Sequence, residues 1–167
     1  DRIDEGYSYG FKTQYLREII ENTLKLYSDR LREKGIHFNI EIAQGIPLIA
    51  VDVKRIEFVI RILMENALRY TPADGYISIS VNFVENEYIR FMIKDSGIGI
   101  SSKDLSRVFG KFFRSREATG ADTEGMGLGL YIAQNIIKSH GGRIWAESAG
   151  VNKGTTFIFE IPVRHGK

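Results

Sequence analysis

The sequence contains no cysteine. Disulfides and thiolate zinc sites are excluded, and a reducing compartment is the simpler setting. Charge of one sign is scarce as well. Lys+Arg number 23 and Asp+Glu 21, a net of +2, so the balance gives no support to nucleic-acid binding despite a pI near 8.8. No apolar run approaches the ~18 residues that a membrane span needs, and no secretory signal opens the chain. There is no internal repeat and no low-complexity tract. An initiating methionine is missing too: the chain starts at Asp1, so it is expected to be a piece of something longer. What is present suits one compact domain, since 43% of the 167 residues are hydrophobic and ~150 residues can bury roughly 70% of their unfolded surface.

Periodicity supplies the elements. Leu16, Ile19, Ile20, Leu24, Tyr27 and Leu31 follow helical spacing and predict one helix over 14–34, stopped at Gly35. Tyr7, Tyr9 and Phe11 alternate ahead of it, as in a short strand or ordered linker. "HFNIEI" alternates as a half-buried strand, and "IPLIAV" suggests a short one. Asp52 is suited to N-cap a helix carrying Ile56, Val59, Ile60, Leu63, Met64 and Ala67 on one face, ended by Thr71-Pro72. Two alternating strands around "ENE" predict a hairpin, the second running into Asp95. A short helix is expected at 103–109, then a polar stretch without periodicity, a helix over 128–140 closed by Gly141-Gly142, and a final hairpin. The sum is α/β: a mixed, mostly antiparallel sheet with helices on one face.

Four stretches carry chemistry. In "KDSGIGI" the ionised Asp95 only accepts hydrogen bonds, and at a strand end it suits an exocyclic amine such as adenine N6. Gly97 and Gly99 would let backbone approach a flat ring without Cβ interference, although D-S-G is also ordinary turn chemistry. In "GMGLGL", Gly125 to Leu130, glycines before a helix start would expose N–H groups that favour phosphate; a glycine hinge is the alternative. The spacing is neither the dinucleotide fingerprint nor a P-loop, which removes a dinucleotide oxidoreductase from consideration. "ENALRYTP" sets Asn66 at the flank of an apolar stripe, where an amide oxygen suits magnesium, and Arg69 nearby suits phosphate. A solvated helix face accounts for Arg69 equally. In "GTTF", Gly154 suits a turn and Thr156 offers a hydroxyl; a plain hairpin would look the same.

In order, "ENALRY", "KDSGIGI", "VFGKFF", "EGMGLGL" and "GTTF" resemble the N, G1, F, G2 and G3 boxes of sensor histidine kinases, in the catalytic and ATP-binding domain that they share with gyrase-type, chaperone-type and mismatch-repair-type ATPases. The resemblance runs from about Gln14 to Val163. It implies a two-layer α/β sandwich holding Mg-ATP between a helix and a mobile lid at about 101–126. It further implies that Asn66 holds Mg²⁺, and that Asp95 accepts from the adenine amine with Gly99 and Thr156 nearby. Tyr70 and Ile100 would line the base pocket. Gly127, Leu128, Gly129 and Leu130 would present N–H groups to the phosphates, which Arg69 would contact. Phe109, Phe112 and Phe113 would anchor the lid, and Arg114 would approach the γ-phosphate. Residues 1–13 would be a linker or the end of an upstream dimerization domain, and 14–167 the catalytic domain. Partners would be that phosphoacceptor domain and a response regulator receiver domain. The whole protein would be a homodimer with this portion cytoplasmic, while the fragment alone would be a monomer.

Independently of the resemblance, residues 101–120 carry five cations against two anions, a net of +3 on a chain of net +2. Positive charge thus gathers on the segment expected to cover a triphosphate; a solvated basic loop is the other reading. Three positions depart from the family pattern. Ile62 stands four before Asn66, where related kinases often carry Asn and related ATPases a Glu general base; isoleucine cannot activate water, which disfavours hydrolysis. Gly110 replaces a usually acidic residue, and Met126 a frequent Thr or Ser. His37, His140 and His165 are followed by Phe, Gly and Gly, unlike the acceptor motif of the family. His37 reads as a strand residue, His140 as favouring the helix dipole's C-terminal end. The alternatives are an ATPase or protein-serine kinase of the same superfamily, or a non-catalytic nucleotide-binding module.

Overall fold

The computed structural model describes residues 10–111, 113 and 127–163. The elements are β1 (Phe11–Gln14), α1 (Leu16–Leu24), a 3₁₀ turn (Lys25–Tyr27), α2 (Ser28–Lys34), β2 (His37–Ile42), β3 (Ile49–Asp52), α3 (Val53–Tyr70), β4 (Tyr76–Val84), β5 (Tyr88–Asp95), α4 (Ser102–Leu105), α5 (Gly129–Ser139), β6 (Arg143–Glu147) and β7 (Thr155–Pro162). The five-stranded sheet runs β2-β4-β5-β7-β6, parallel only at β2–β4, and β1 pairs antiparallel with β3 apart from it. Mixed sheet and one-sided helical layer agree with the sequence reading.

Register explains the core. Ile77, Ile79 and Val81 of β4 lie opposite Asp95, Ile93 and Phe91 of β5, which in turn face Thr155, Phe157 and Phe159 of β7. Since side chains alternate across a strand, these rows share the face under the helices. Phe91 and Phe159 are fully buried and stack at 4.8 Å between centroids, each worth roughly 1.5–3 kcal/mol of burial. The helical stripes close over them: Leu16, Ile19 and Ile20 from α1, Ile56, Val59, Ile60 and Leu63 from α3, Ala133 and Ile137 from α5. Asp95 is the last member of an otherwise apolar row. That is why a carboxylate ends up buried.

Several boundaries moved. The helix expected over 14–34 is two, separated by the 3₁₀ turn, and Gln14 belongs to β1. Just before the break the buried Thr23 hydroxyl donates to the Ile19 carbonyl at 2.7 Å, a back-bond that bends helices. Gly35 ends α2 at φ +71, with the Ile36 amide on the Leu31 carbonyl at 2.9 Å. Asp52 caps α3, accepting from the Arg55 amide at 3.2 Å. The β4–β5 turn has Glu85 and Asn86 at φ +55 and +53, the double left-handed conformation of a type I′ hairpin. The helix expected at 103–109 stops at Leu105 and continues as turns.

His140 corrects the helix-dipole reading. It is buried at the end of α5; its Nε2 accepts from the Asp52 amide at 3.0 Å and its Nδ1 lies 2.8 Å from the Ile136 carbonyl. That pairing assigns the neutral tautomer with the proton on Nδ1, so the ring acts as a bridge between α5 and β3 and not as a cation. Phe11 of β1 packs on it at 5.0 Å. On the sheet's outer face Glu160 is 1% exposed, held by Arg90 at 2.6 Å and Arg143 at 2.8 Å. Burial pushes its carboxyl up, but the two guanidinium groups outweigh this and hold it below the usual range. Among the described residues no helix is long and apolar enough to cross a membrane.

Candidate functional site

The C-terminal ends of β5 and α3 and the N-terminal end of α5 frame the region where the predicted residues gather. Asp95 is 9% exposed. Its Oδ1 accepts from the Gly97 amide at 2.8 Å and the Thr155 amide at 3.2 Å. Its Oδ2 has no hydrogen-bond partner among the described residues. Burial raises the carboxyl to about 6, with the two backbone amides pulling the other way. At neutral pH the group is mainly ionised, with one oxygen fixed and one able to accept a donor.

The glycines behind it have protein for neighbours. A Cβ on Gly97 would stand 2.5 Å from the Tyr70 carbonyl oxygen; one on Gly99, which sits at φ +71, would overlap the Gly150 carbonyl. They let the 97–100 loop press against the end of α3 and the β6–β7 turn. The Ile98 amide donates to the Tyr70 carbonyl at 3.2 Å. From the turn, the Asn152 amide donates to the Ile98 carbonyl at 2.7 Å and the Gly154 amide to the Gly97 carbonyl at 3.1 Å. Ile100 is buried, and its amide donates to the Ser148 hydroxyl at 3.1 Å.

Thr156 is also corrected. It pairs with Lys94 and Glu147, on the outer face of the sheet, whereas Thr155 pairs with Asp95 on the helix side. The threonine at the carboxylate is Thr155, through its amide. Neither Thr155 nor Ser148 was singled out from the sequence. Adjacent threonines leave the strand's phase open, and a serine before a glycine turn is ordinary composition.

On α3, Asn66 is half-buried near the C-terminal end and has no side-chain hydrogen bond to a described residue. Arg69 is exposed and Tyr70, the last helical residue, is half-buried. Glu65, the acid adjoining Asn66, is held by Arg30 at 2.6 and 3.0 Å. That bidentate pair keeps its carboxyl below the ordinary range and occupies it away from any role as a base. The buried Thr71 hydroxyl just past the helix has no partner among the described residues.

At the other end Gly127 adopts φ +71 and Leu128 leads into α5. Gly127 to Leu130 are half-exposed, and the first-turn amides of α5 have no intrahelical acceptor. A Cβ on Gly129 would meet the tip of Ile62 at 2.9 Å, so the residue departing from the family pattern packs where α5 begins. Of the segment expected to cover the site, Asp104 is buried and holds Arg107 at 2.6 Å. Phe109 meets Phe157 edge-on at 6.0 Å, and Phe113 lies under Arg107 at 5.8 Å. Phe112, Arg114, Gly125 and Met126 lie outside the described residues.

Comparison with known proteins gives one answer. Residues 51–165 match the family described as "Histidine kinase-, DNA gyrase B-, and HSP90-like ATPase". The chain is 35% identical over 89% of its length to the adaptive-response sensory kinase SasA of Gloeothece citriformis, and 33% identical over 93% to the sensor histidine kinase WalK of Bacillus subtilis. It spans 37% and 26% of those two proteins. The solved catalytic domain of histidine kinase ThkA superposes with a TM-score of 0.80 at 32% identity, covering 92% of this chain and 97% of that one. ThkA in complex with the response regulator TrrA gives 0.77 at 30% identity, covering 92% of this chain and 42% of that one.

Proposed function

Because the chain belongs to the histidine kinase-, DNA gyrase B- and HSP90-like ATPase family and matches the catalytic ATP-binding domain of sensor histidine kinases, we propose that it binds Mg-ATP at this site. It then presents the γ-phosphoryl group to a histidine on a separate dimerization domain. The observation that carries the reading is Asp95: a buried carboxylate whose two backbone bonds both fall on Oδ1, leaving Oδ2 to accept the adenine amine. Tyr70 and Ile100 are assigned to the base pocket, and the Thr155 amide holds the carboxylate's other oxygen. The α5 amides, Gly127 among the residues leading to them, take the phosphates, with Arg69 and Arg114 as countercharges.

The donor set fits magnesium. Asn66 offers one amide oxygen, and a hard cation of this kind draws its remaining ligands from phosphate and water. When bound, Mg²⁺ neutralises charge on the transferring phosphoryl group. The chain's own part is positioning: it holds the nucleotide while an incoming neutral imidazole nitrogen forms the P–N bond and ADP leaves with the electrons of the broken P–O bond. Residues 1–13 serve as the link to the acceptor domain, and residues 101–126 close over the nucleotide. The whole protein works as a homodimer with a response regulator as its next phosphoacceptor; this portion alone is a monomer facing the cytoplasm.

Hydrolysis is disfavoured because Ile62 cannot serve as a base and Glu65 is taken by Arg30. Titration calorimetry with Mg-ATP should give heat, and none at millimolar nucleotide would end the proposal. Incubated with labelled ATP the chain should stay unlabelled, then label an added helical acceptor domain in an acid-labile form. Efficient turnover without an acceptor would favour the ATPase reading instead.

A further inference from the structure

We propose that Ser148 is a positioning residue that sets base recognition, acting through Ile100 and the β6–β7 turn on the carboxylate of Asp95. The inference rests on the nucleotide reading of the site and adds a residue to it. Ser148 follows the last residue of β6 and its hydroxyl is a three-way junction. It accepts from the Ile100 amide at 3.1 Å and the Gly150 amide at 3.2 Å, and donates to the Gly154 carbonyl at 2.6 Å. One oxygen thus uses both lone pairs and its only proton, joining the end of the Asp95–Ile100 loop to both limbs of the turn. The same turn supplies amides to the Ile98 and Gly97 carbonyls and, from Thr155, to Asp95 Oδ1.

Asp95 is therefore oriented from both sides by segments that Ser148 keeps in register. Without the hydroxyl, the Ile100 and Gly150 amides lose their acceptor, and the loop and turn lose the bridge that spans 48 residues of sequence. The carboxylate would remain, but the direction of Oδ2 would no longer be fixed. Hydrogen-bonded recognition is sensitive to such misplacement, whereas phosphate binding at the far end of the site is not. A residue that merely stabilises the turn would weaken every nucleotide alike.

The test compares ATP with purine riboside triphosphate, which lacks the N6 amine, each with magnesium, on the whole chain and its variants. The unaltered chain should prefer ATP. Ser148→Ala should weaken ATP about tenfold and the purine analogue less than threefold, and Ser148→Thr, which keeps a hydroxyl, should restore the preference. Equal losses for both ligands, or no loss of ATP, would overturn the proposal. An unaltered chain that binds ATP without preferring it would overturn this proposal and the role of Asp95, while failure to bind either ligand would overturn the nucleotide reading itself. Should Ser148→Ala not fold, amide hydrogen exchange on the unaltered chain decides: ATP should slow Ile100 and Gly150 more than the analogue does, and equal slowing would sink the idea.

Discussion

The two ends of the site use glycine in opposite ways. At the base end the missing Cβ atoms of Gly97, Gly99 and Gly154 would each strike a backbone carbonyl, those of Tyr70, Gly150 and Asp95. At the phosphate end the missing Cβ of Gly129 would strike the tip of a single side chain, Ile62. Backbone cannot retreat without moving its element, but an isoleucine tip can turn. The base end is thus a closed fit fixed by the fold, and the start of α5 has slack. A glycine-rich motif does not state which kind it is; only the neighbour does.

The largest expected effect tests the closed end. Gly99→Ala should cost roughly 3 kcal/mol or more, combining a left-handed backbone with an overpacked contact, and lower the melting temperature by roughly 6–12 °C. A melt within a degree of the parent would show that the loop and turn are not in forced contact. Next comes Asp95→Asn, of comparable size and opposite sign. The folded carboxyl titrates near 6, above its unfolded value, so ionisation costs stability. That cost is absent below about pH 4, grows as pH rises to about 6, and reaches at most about 3 kcal/mol at neutrality. Asparagine keeps an Oδ1 for both amides without the charge. The variant should therefore gain stability at pH 7, lose ATP binding, and in denaturant titrations lack the loss of stability that Asp95 ionisation adds to the parent between pH 4 and 6. A variant less stable than the parent at pH 7 would mean that the charge is compensated.

Smaller effects mark the open side. Asn66→Ala should weaken Mg-ATP by about tenfold or more, the scale for losing a group that orients a metal. It should shift stability by less than about 0.5 kcal/mol; a global loss of fold would make Asn66 structural. Gly129→Ala should change stability by less than about 1 kcal/mol, since helix propensity offsets the displaced Ile62 tip. A loss like that of Gly99→Ala would erase the contrast. Gly127 belongs to neither class, because its φ of +71 makes any side chain strained before a ligand is considered.

Much of this was legible in the sequence, for physical reasons. Period-two rows fixed which strand faces are buried, and following Ile89, Phe91 and Ile93 forward puts Asp95 on the inner face. Asp52 before a helical stripe announced its cap. The break between α1 and α2 was not legible, because apolar spacing continues across it and the Thr23 back-bond beside it leaves no mark in the pattern. "GTTF" names two threonines, and choosing between them needs the pairing register, which a one-residue slip inverts. Ser148 is invisible for a further reason: its three partners lie in two segments that only the finished sheet brings together.

Glu160 carries a last lesson for anyone altering the outer face. One carboxylate rivets three neighbouring strands, with Arg90 on β5 and Arg143 on β6 gripping different oxygens of a group on β7. Hub and spokes are not equivalent. Replacing the hub with a neutral residue of like size leaves two cations that can reach water, whereas trimming either spoke strands half of an enclosed anion. An engineer grafting a new surface onto this sheet can redesign the trio together, or leave it alone, but not remove an arginine by itself.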